Sequence, residues 1–294
     1  MTQQNNQQQA FQLRNRYVFR GQLTMRTGLH IGGGRETLSN SDSPVVLTPD
    51  GLPFIPGSSF KGALRSTTEK LVASLPAELG LHTCGLPVDD VEGETCPTAQ
   101  QNHIRNERRD KNRRDQEAYM QQKRKDLCHT CQLFGSPFAA ARIIINDLYL
   151  AEDDWSGPPQ IRDGVAIERD RDTAKRNAKY DFEVVPATTS FKLEIVIENA
   201  TFQDLQLISI GLGEFTSGFG GIGGLRSRGL GACILENLEI RYLELDIADQ
   251  KEKMRRLQHY LLHRDEGLTQ VADADAFLAA HIKSLFKLTS EKGE

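Results

Sequence analysis

The sequence predicts an α+β fold in which a split βαβ sheet carries large insertions. Three observations point there. Strand-like alternation appears at residues 17–25 and again at 191–197, and each run is followed by a helical pattern. Two long polar stretches, 81–132 and 161–180, interrupt the regular pattern between them. A last strand pattern, at 238–242, follows a segment dense in glycine.

Each element can be justified in order. Tyr17, Phe19, Leu23 and Met25 share one face of the first strand. It runs into Thr27-Gly28-Leu29-His30-Ile31-Gly32-Gly33-Gly34, where consecutive glycines end the strand and free the backbone. A polar segment, 35–43, leads to a short strand, Val45-Val46-Leu47, and a Pro-Asp-Gly turn at 49–51. With Ser58 or Ser59 as N-cap, Phe60, Ala63, Leu64, Thr67, Leu71, Val72 and Leu75 then fall at helical spacing. Residues 81–135 read as a partly helical insertion holding four of the five cysteines. Its segment 105–126 carries nine basic and five acidic residues, which favours a solvated or subunit-contacting face over a basic RNA-binding helix. Strand character returns at Ile143-Ile144-Ile145, and Gly157-Pro158-Pro159 turns into the charged stretch 161–180. Phe191, Leu193, Ile195 and Ile197 alternate with charged residues as a half-buried strand, and 205–212 reads as a second helix. Nine glycines within 211–231 predict a loop with close backbone contacts. A strand at Leu238, Ile240 and Tyr242 and helices near 254–262 and 274–285 complete the chain, with Cys233 buried in a strand. The domain reading is a disordered tail at 1–14, a body at 15–250 and a C-terminal helical segment at 251–294. The order of the elements is that of a ferredoxin-like sheet with insertions.

Composition narrows the function classes. The chain has 294 residues, 38% of them hydrophobic, and a mean hydropathy of −0.47. No stretch approaches the roughly 20 apolar residues that span a bilayer, and the Gln/Asn-rich start lacks the apolar run of a secretory signal. The expectation is a soluble cytoplasmic protein with no membrane partner. A net charge of −4 does not exclude nucleic acid, because binding needs a local basic stripe rather than a basic total. Five cysteines without an export signal argue against a disulfide framework and leave metal ligation or burial.

Cys128-x2-Cys131 has the spacing of a two-ligand knuckle, and Cys84 and Cys96 can complete a tetrahedral Zn2+ site. His82, His103 and His129 are nearby substitutes for a distant ligand. Such a site would staple an insertion with little core of its own. Four free, partly buried thiols are the plainer alternative. Lys61 and Arg65 lie four apart on the first helix and, with Ser58 and Ser59, form a phosphate cradle at its N-terminus. The Walker A order is absent, so an ATPase reading fails. Arg226 and Arg228, in the glycine-rich loop, suit contacts to RNA phosphates. That loop contains a Gly-x-Gly-x-x-Gly match, but it follows a helical pattern rather than a strand, so a Rossmann site is rejected. For both pairs of cations, solvated surface charge is the alternative.

Three segments together resemble the backbone subunits of type III CRISPR effectors, RAMP proteins of the Csm kind. They are Gly28-Leu29-His30-Ile31-Gly32 with Ser41-Asp42-Ser43-Pro44-Val45-Val46; Ile55-Pro56-Gly57-Ser58-Ser59-Phe60-Lys61-Gly62-Ala63-Leu64-Arg65; and Phe219-Gly220-Gly221-Ile222-Gly223-Gly224-Leu225-Arg226-Ser227-Arg228-Gly229-Leu230-Gly231. Cys131-Gln132-Leu133-Phe134-Gly135 and residues 180–187 resemble further landmarks of the family, its Phe-Gly turn and its thumb.

The resemblance implies a modified ferredoxin-like, RRM-like palm with a thumb at 160–188 and assembly of several such subunits along one guide RNA. It implies as partners crRNA, complementary target RNA and the other effector subunits: further backbone subunits, a guide-end-capping subunit, a large subunit and a small subunit. It also implies cleavage of the target at regular intervals. Asp42 matches the family's Asp-Ser-Pro position and is the expected catalytic residue, as a base or as a ligand of Mg2+; with no partner His at short spacing in the loop, the metal-dependent route is the expected one. On local sequence alone, an Asp before Ser-Pro is more commonly a turn former. His30 is implied as a guide-RNA contact, and Arg169, Arg171, Lys175, Arg176 and Lys179 fall where the thumb would meet guide and target backbones. A non-catalytic crRNA-binding scaffold of the same kind is the competing reading. A guide-processing RNase is set aside, because no His or Tyr cluster is present.

Overall fold

A five-stranded antiparallel sheet organises the chain, in a computed structural model that describes residues 12–33, 41–87, 89–109, 111–151, 157–168, 170 and 173–290. Its strands are β1 (Asn15–Met25), β2 (Ile143–Ile145), β5 (Ser190–Glu198), β6 (Cys233–Glu244) and the two-residue β7 (Thr269–Gln270), in the order β2-β5-β1-β6-β7. Helix α1 (Gly57–Ala73) connects β1 to β2 and helix α5 (Phe202–Thr216) connects β5 to β6. The result is two interlocked split βαβ units, the ferredoxin-like topology that the order of sequence patterns suggests.

Register follows from the pleat. On β5 the buried Phe191, Leu193, Ile195 and Ile197 stand opposite Leu23, Gly21, Phe19 and Tyr17 of β1. Phe19 and Leu23 also meet Ile240 and Leu235 of β6. This face packs on α1 and α5, and each such side chain taken fully out of water stabilises the fold by about 1.5–3 kcal/mol. The β1–β6 register shifts between Arg20 and Gln22, where a Cβ on Gly21 would stand 2.9 Å from the carbonyl of Glu236. The opposite face of β1 is charged. There Arg20 pairs with Glu194 and Asp265, each at 2.8 Å, beneath helix α6 (Gln250–His263). Helix α7 (Ala274–Ser290) returns to the apolar side, where Leu278 and Leu285 join the main core and Ser284 accepts from Gln206 at 2.9 Å. Among the described residues no helix is long and apolar enough to cross a membrane.

Two insertions leave this sheet. Between α1 and β2 come the helices α2 (Gln101–Arg109), α3 (Arg113–Lys125) and α4 (His129–Phe134), so the insertion is partly helical as expected. Between β2 and β5, β3 (Gln160–Glu168) and β4 (Thr173–Val184) form an antiparallel hairpin.

The structure corrects three local expectations. Val45 and Leu47 make single bridges, to Gly32 and Pro53, rather than a strand. Neither Ser58 nor Ser59 caps α1: the helix starts at Gly57 after Pro56, with no side-chain cap from the flanking residue. The predicted loop at 211–231 begins later, because α5 continues to Thr216. Gly211 is a helical glycine set by packing. A Cβ there would lie 2.4 Å from Thr68 Oγ1 of α1.

Candidate functional site

Strand β4 presents different chemistry on its two faces, as a period of two requires. Tyr180, Phe182 and Val184 alternate with Asp181 and Glu183. Phe182 and Val184 bury with Leu230, and Tyr180 and Leu225 pack against them. The glycine-rich loop is thereby fastened to the base of the hairpin. Across the hairpin, Gly164 leaves room for Tyr180, whose ring a Cβ would meet at 2.3 Å.

The acidic residues of β4 hold the segment that carries Asp42. The Asp42 N–H donates to Asp181 Oδ1 at 2.7 Å, and the Ser41 hydroxyl donates to the same oxygen at 2.8 Å. In return the Asp181 N–H donates to Asp42 Oδ2 at 3.2 Å. Two residues along, the Glu183 N–H donates to the Ser43 carbonyl and the Val45 N–H to Glu183 Oε2, both at 3.0 Å. The backbone bond from Asp42, then the Ser41 hydroxyl, holds the Asp181 carboxyl below the usual carboxylate range. Asp42 itself is exposed. Its Oδ1 takes no hydrogen bond among the described residues.

His30 sits behind this loop with both ring nitrogens engaged. Nδ1 lies 2.7 Å from the Glu183 carbonyl, so it carries a proton, and Nε2 lies 3.3 Å from Ser43 Oγ. The ring meets Phe182 edge-on. The His30 carbonyl accepts from the Gly224 N–H at 2.8 Å, and a Cβ on Gly223 would stand 2.5 Å from it. His30 thus joins the Asp42 loop, β4 and the glycine-rich loop. Arg226 and Arg228 are exposed on a single 3-10 turn of that loop, and the Arg228 guanidinium bonds the Tyr180 hydroxyl. Lys179 is exposed and pairs with Asp163 at 3.2 Å. Arg169 and Arg171 lie outside the described residues. Lys175 and Arg176 are on β4, and their side chains are likewise outside what is described.

The expected phosphate cradle on α1 is a separate group, which no described hydrogen bond joins to Asp42. Its first N–H, from Gly57, donates to Asp147 Oδ1 at 2.7 Å, so an acidic side chain already occupies the positive end of this helix. Gly57 is required there, since a Cβ would meet the Ile145 carbonyl at 2.3 Å. Ser58 is exposed and Ser59 half-buried. The Lys61 ammonium donates to the Ile143 carbonyl at 3.3 Å, and burial, then the Arg65 charge, lowers its pKa. Arg65 turns inward, to Glu69, to the Gly135 carbonyl and to Cys131 Sγ.

Cys84, Cys96, Cys128 and Cys131 form the second site. Their sulfurs all lie within 4.8 Å of one another, and none is in a disulfide. Cys128 precedes α4 and Cys131 lies in its first turn, which brings the knuckle together. The thiols do not titrate independently. Hydrogen bonds among them, that with Cys128 the largest cause, lower Cys96 and raise Cys84 and Cys131, while the bond with Cys131 lowers Cys128 to about 6. The set can hold a metal ion such as zinc, whose thiolate sites are tetrahedral and four-coordinate. The histidines go elsewhere: His82 to Glu94 at 3.3 Å, His103 to Glu107, and His129 Nδ1 to the His82 N–H.

Sequence reading missed Asp181, Glu183 and Asp147 as functional neighbours. The polar–apolar alternation of residues 180–184 was the available signal for the first two; nothing local marks Asp147.

Residues 22–234 match the family model described as the RAMP superfamily. Three similar curated proteins carry the name CRISPR system Cms endoribonuclease Csm3. That of Methanothermobacter thermautotrophicus is 25% identical over 255 residues, which cover 76% of this chain and 85% of that protein. That of Methanocaldococcus jannaschii is 25% identical over 243 residues, 78% and 82% of the two chains. That of Streptococcus thermophilus is 26% identical over 242 residues, 75% and 87%.

Proposed function

The chain belongs to the RAMP superfamily, and from that premise we propose that it is a crRNA-binding backbone subunit of a cytoplasmic type III CRISPR effector that cleaves target RNA at Asp42. The observation that carries this reading is the placement of Asp42: an exposed carboxylate clamped to the base of the β3–β4 hairpin, beside the glycine-rich loop. The likeness to proteins named Csm3 along three quarters of the chain supports the class.

In this reading the β3–β4 hairpin is the thumb. Lys175, Arg176 and Lys179 on it, Arg169 and Arg171 between its strands in sequence, and Arg226 and Arg228 at its base meet RNA phosphates, and Ser58, Ser59 and Lys61 offer further contacts on α1. His30 acts through the loops it joins. Arg65 faces inward and supports the cysteine site instead.

The reaction is attack of a target 2′-hydroxyl on the adjacent phosphorus, which leaves a 2′,3′-cyclic phosphate and a 5′-hydroxyl. The Asp42 carboxylate takes the 2′-hydroxyl proton, and the leaving 5′-oxygen is protonated by water. The oxygen donors fit Mg2+, which binds through one or two carboxylates and fills its other positions with water and substrate phosphate. When bound, the ion would offset charge on the phosphate. Cys84, Cys96, Cys128 and Cys131 are assigned to one structural Zn2+, since the thiolates suit it and all four positions are filled by protein. The other effector subunits would sit along the same guide.

The test uses the assembled effector with guide RNA, Mg2+ and a labelled complementary RNA. Asp42→Ala is expected to remove the evenly spaced products, with a rate loss on the order of 10²-fold or more, and to leave target binding unchanged. An unchanged ladder would make the chain a non-catalytic scaffold subunit.

A further inference from the structure

We propose that Asp181 is a positioning residue for Asp42, fixing the reactive carboxylate through the hydrogen-bond acceptor that it presents to residues 41 and 42. The inference rests on the assignment of Asp42 as the cutting residue and adds a second residue, from the β3–β4 insertion, on which the cut depends.

The geometry is reciprocal. One oxygen of Asp181 collects two donors from consecutive residues, the Ser41 hydroxyl and the Asp42 N–H, at 2.8 and 2.7 Å. The N–H of the same residue then reaches the Asp42 carboxylate at 3.2 Å. The side chain of Asp181 therefore sets the backbone of Asp42 while its backbone sets the side chain. Both are needed to define where the free oxygen of Asp42 points. Glu183, two residues on along the same face of β4, repeats the clamp with Ser43 and Val45. Without Asp181 the loop would still be tied at residues 43 and 45 but would swing at 42.

Asp181 is poorly suited to do the chemistry itself. Its Oδ1 is taken up by two donors, and those bonds hold its carboxyl below the usual range, which makes it a weaker base than an ordinary aspartate. Placement is where such a residue acts. A shift of about 1 Å in a reacting group costs on the order of 10²-fold in rate.

The experiment measures single-turnover target cleavage and target affinity on assembled effectors carrying wild type, Asp181→Ala, Asp181→Asn or Asp42→Ala. Asp181→Asn keeps an acceptor oxygen for both donors, while it loses the charge and turns the other oxygen into an NH2 donor. The expected result is a loss of about 10–100-fold in the cleavage rate for Asp181→Ala, with unchanged composition and target affinity, and recovery to within about threefold by Asp181→Asn. A merely structural role would move affinity or assembly along with rate and would not separate Ala from Asn. Wild-type cleavage by Asp181→Ala alongside an inactive Asp42→Ala overturns the inference and leaves the function intact. Asp181→Asn as inactive as Asp181→Ala also overturns it, because charge rather than placement would be at work. Full cleavage by Asp42→Ala removes the functional assignment itself and this inference with it.

Discussion

Arg65 Nη2 donates to Cys131 Sγ at 3.3 Å, so a cation on the first helix of the sheet domain touches the cysteine cluster of the insertion. Its other nitrogens hold Glu69 at 2.8 Å and the Gly135 carbonyl at 2.7 Å. A divalent ion bound by four thiolates leaves net negative charge, which a mostly buried guanidinium offsets directly. The bonds to Cys131 and to the Gly135 carbonyl fix the insertion against α1. This single side chain therefore couples the cysteine cluster to the sheet domain.

Metal content and Arg65 should accordingly change together. The purified chain is expected to carry one zinc per molecule by elemental analysis, lost in Cys96→Ser. Stripping it with a chelator should speed amide hydrogen exchange across 81–135 more than in the central strands. Arg65→Lys keeps the charge but cannot reach three acceptors in three directions. It should hold zinc on the order of 10-fold more weakly, as outer partners of metal ligands do. Zinc retention equal to wild type in Arg65→Lys would mean that the bond to Cys131 is incidental.

Gly211 tests the crossing of α1 and α5. Alanine in place of glycine gains about 1 kcal/mol of helix propensity. Against that, the added Cβ would stand 2.4 Å from Thr68 Oγ1 and 2.8 Å from Leu64 Cδ1, both in buried side chains. Overpacking of this kind costs about 1–3 kcal/mol, so the net effect is destabilising. Gly211→Ala should melt several degrees below wild type, and Thr68→Ala in the same chain should recover part of the loss because the two sites share a contact. A rise in melting temperature for Gly211→Ala would show that the helices have room to part.

The glycine also marks the limit of what the sequence discloses. Periodicity locates β1, β5, α1 and both C-terminal helices; β1, β5, α1 and α7 each bury one face against a single core, whereas α6 buries none of its residues. The helical pattern at 205–212 and the glycine count at 211–231 both claim Gly211, since a glycine demanded by helix packing is locally indistinguishable from one demanded by a turn. The β3–β4 hairpin escapes for a related reason. One side of β4 packs on the glycine-rich loop and the other grips residues 41–45, so its polar positions carry as many tertiary contacts as its apolar ones. The cysteines are legible as a group through the Cys128-x2-Cys131 spacing, and only folding selects Cys84 and Cys96 over the three histidines. Asp42 is found by resemblance. Its partner Asp181 lies 139 residues away, and no local pattern links the two.

The arginines of the glycine-rich loop give the most direct check on where RNA lies. Arg226 and Arg228 are exposed on one short turn, and Arg228 also leans over the Tyr180 ring at 5.9 Å. If each meets a guide phosphate, each releases counterions on binding, and the dependence of log affinity on log salt falls by about 0.7 per contact on single-stranded RNA. Replacing both with alanine should therefore lower the slope by about 1.4 and weaken crRNA binding by the full chain most at low salt. Replacing Arg255 and Arg256 on α6 is the control. Both already pair with Glu252, at 2.7 and 2.8 Å, so the slope should not move. An unchanged slope in the Arg226/Arg228 double variant would place the guide away from this loop. The contacts would then have to come from α1 and the hairpin.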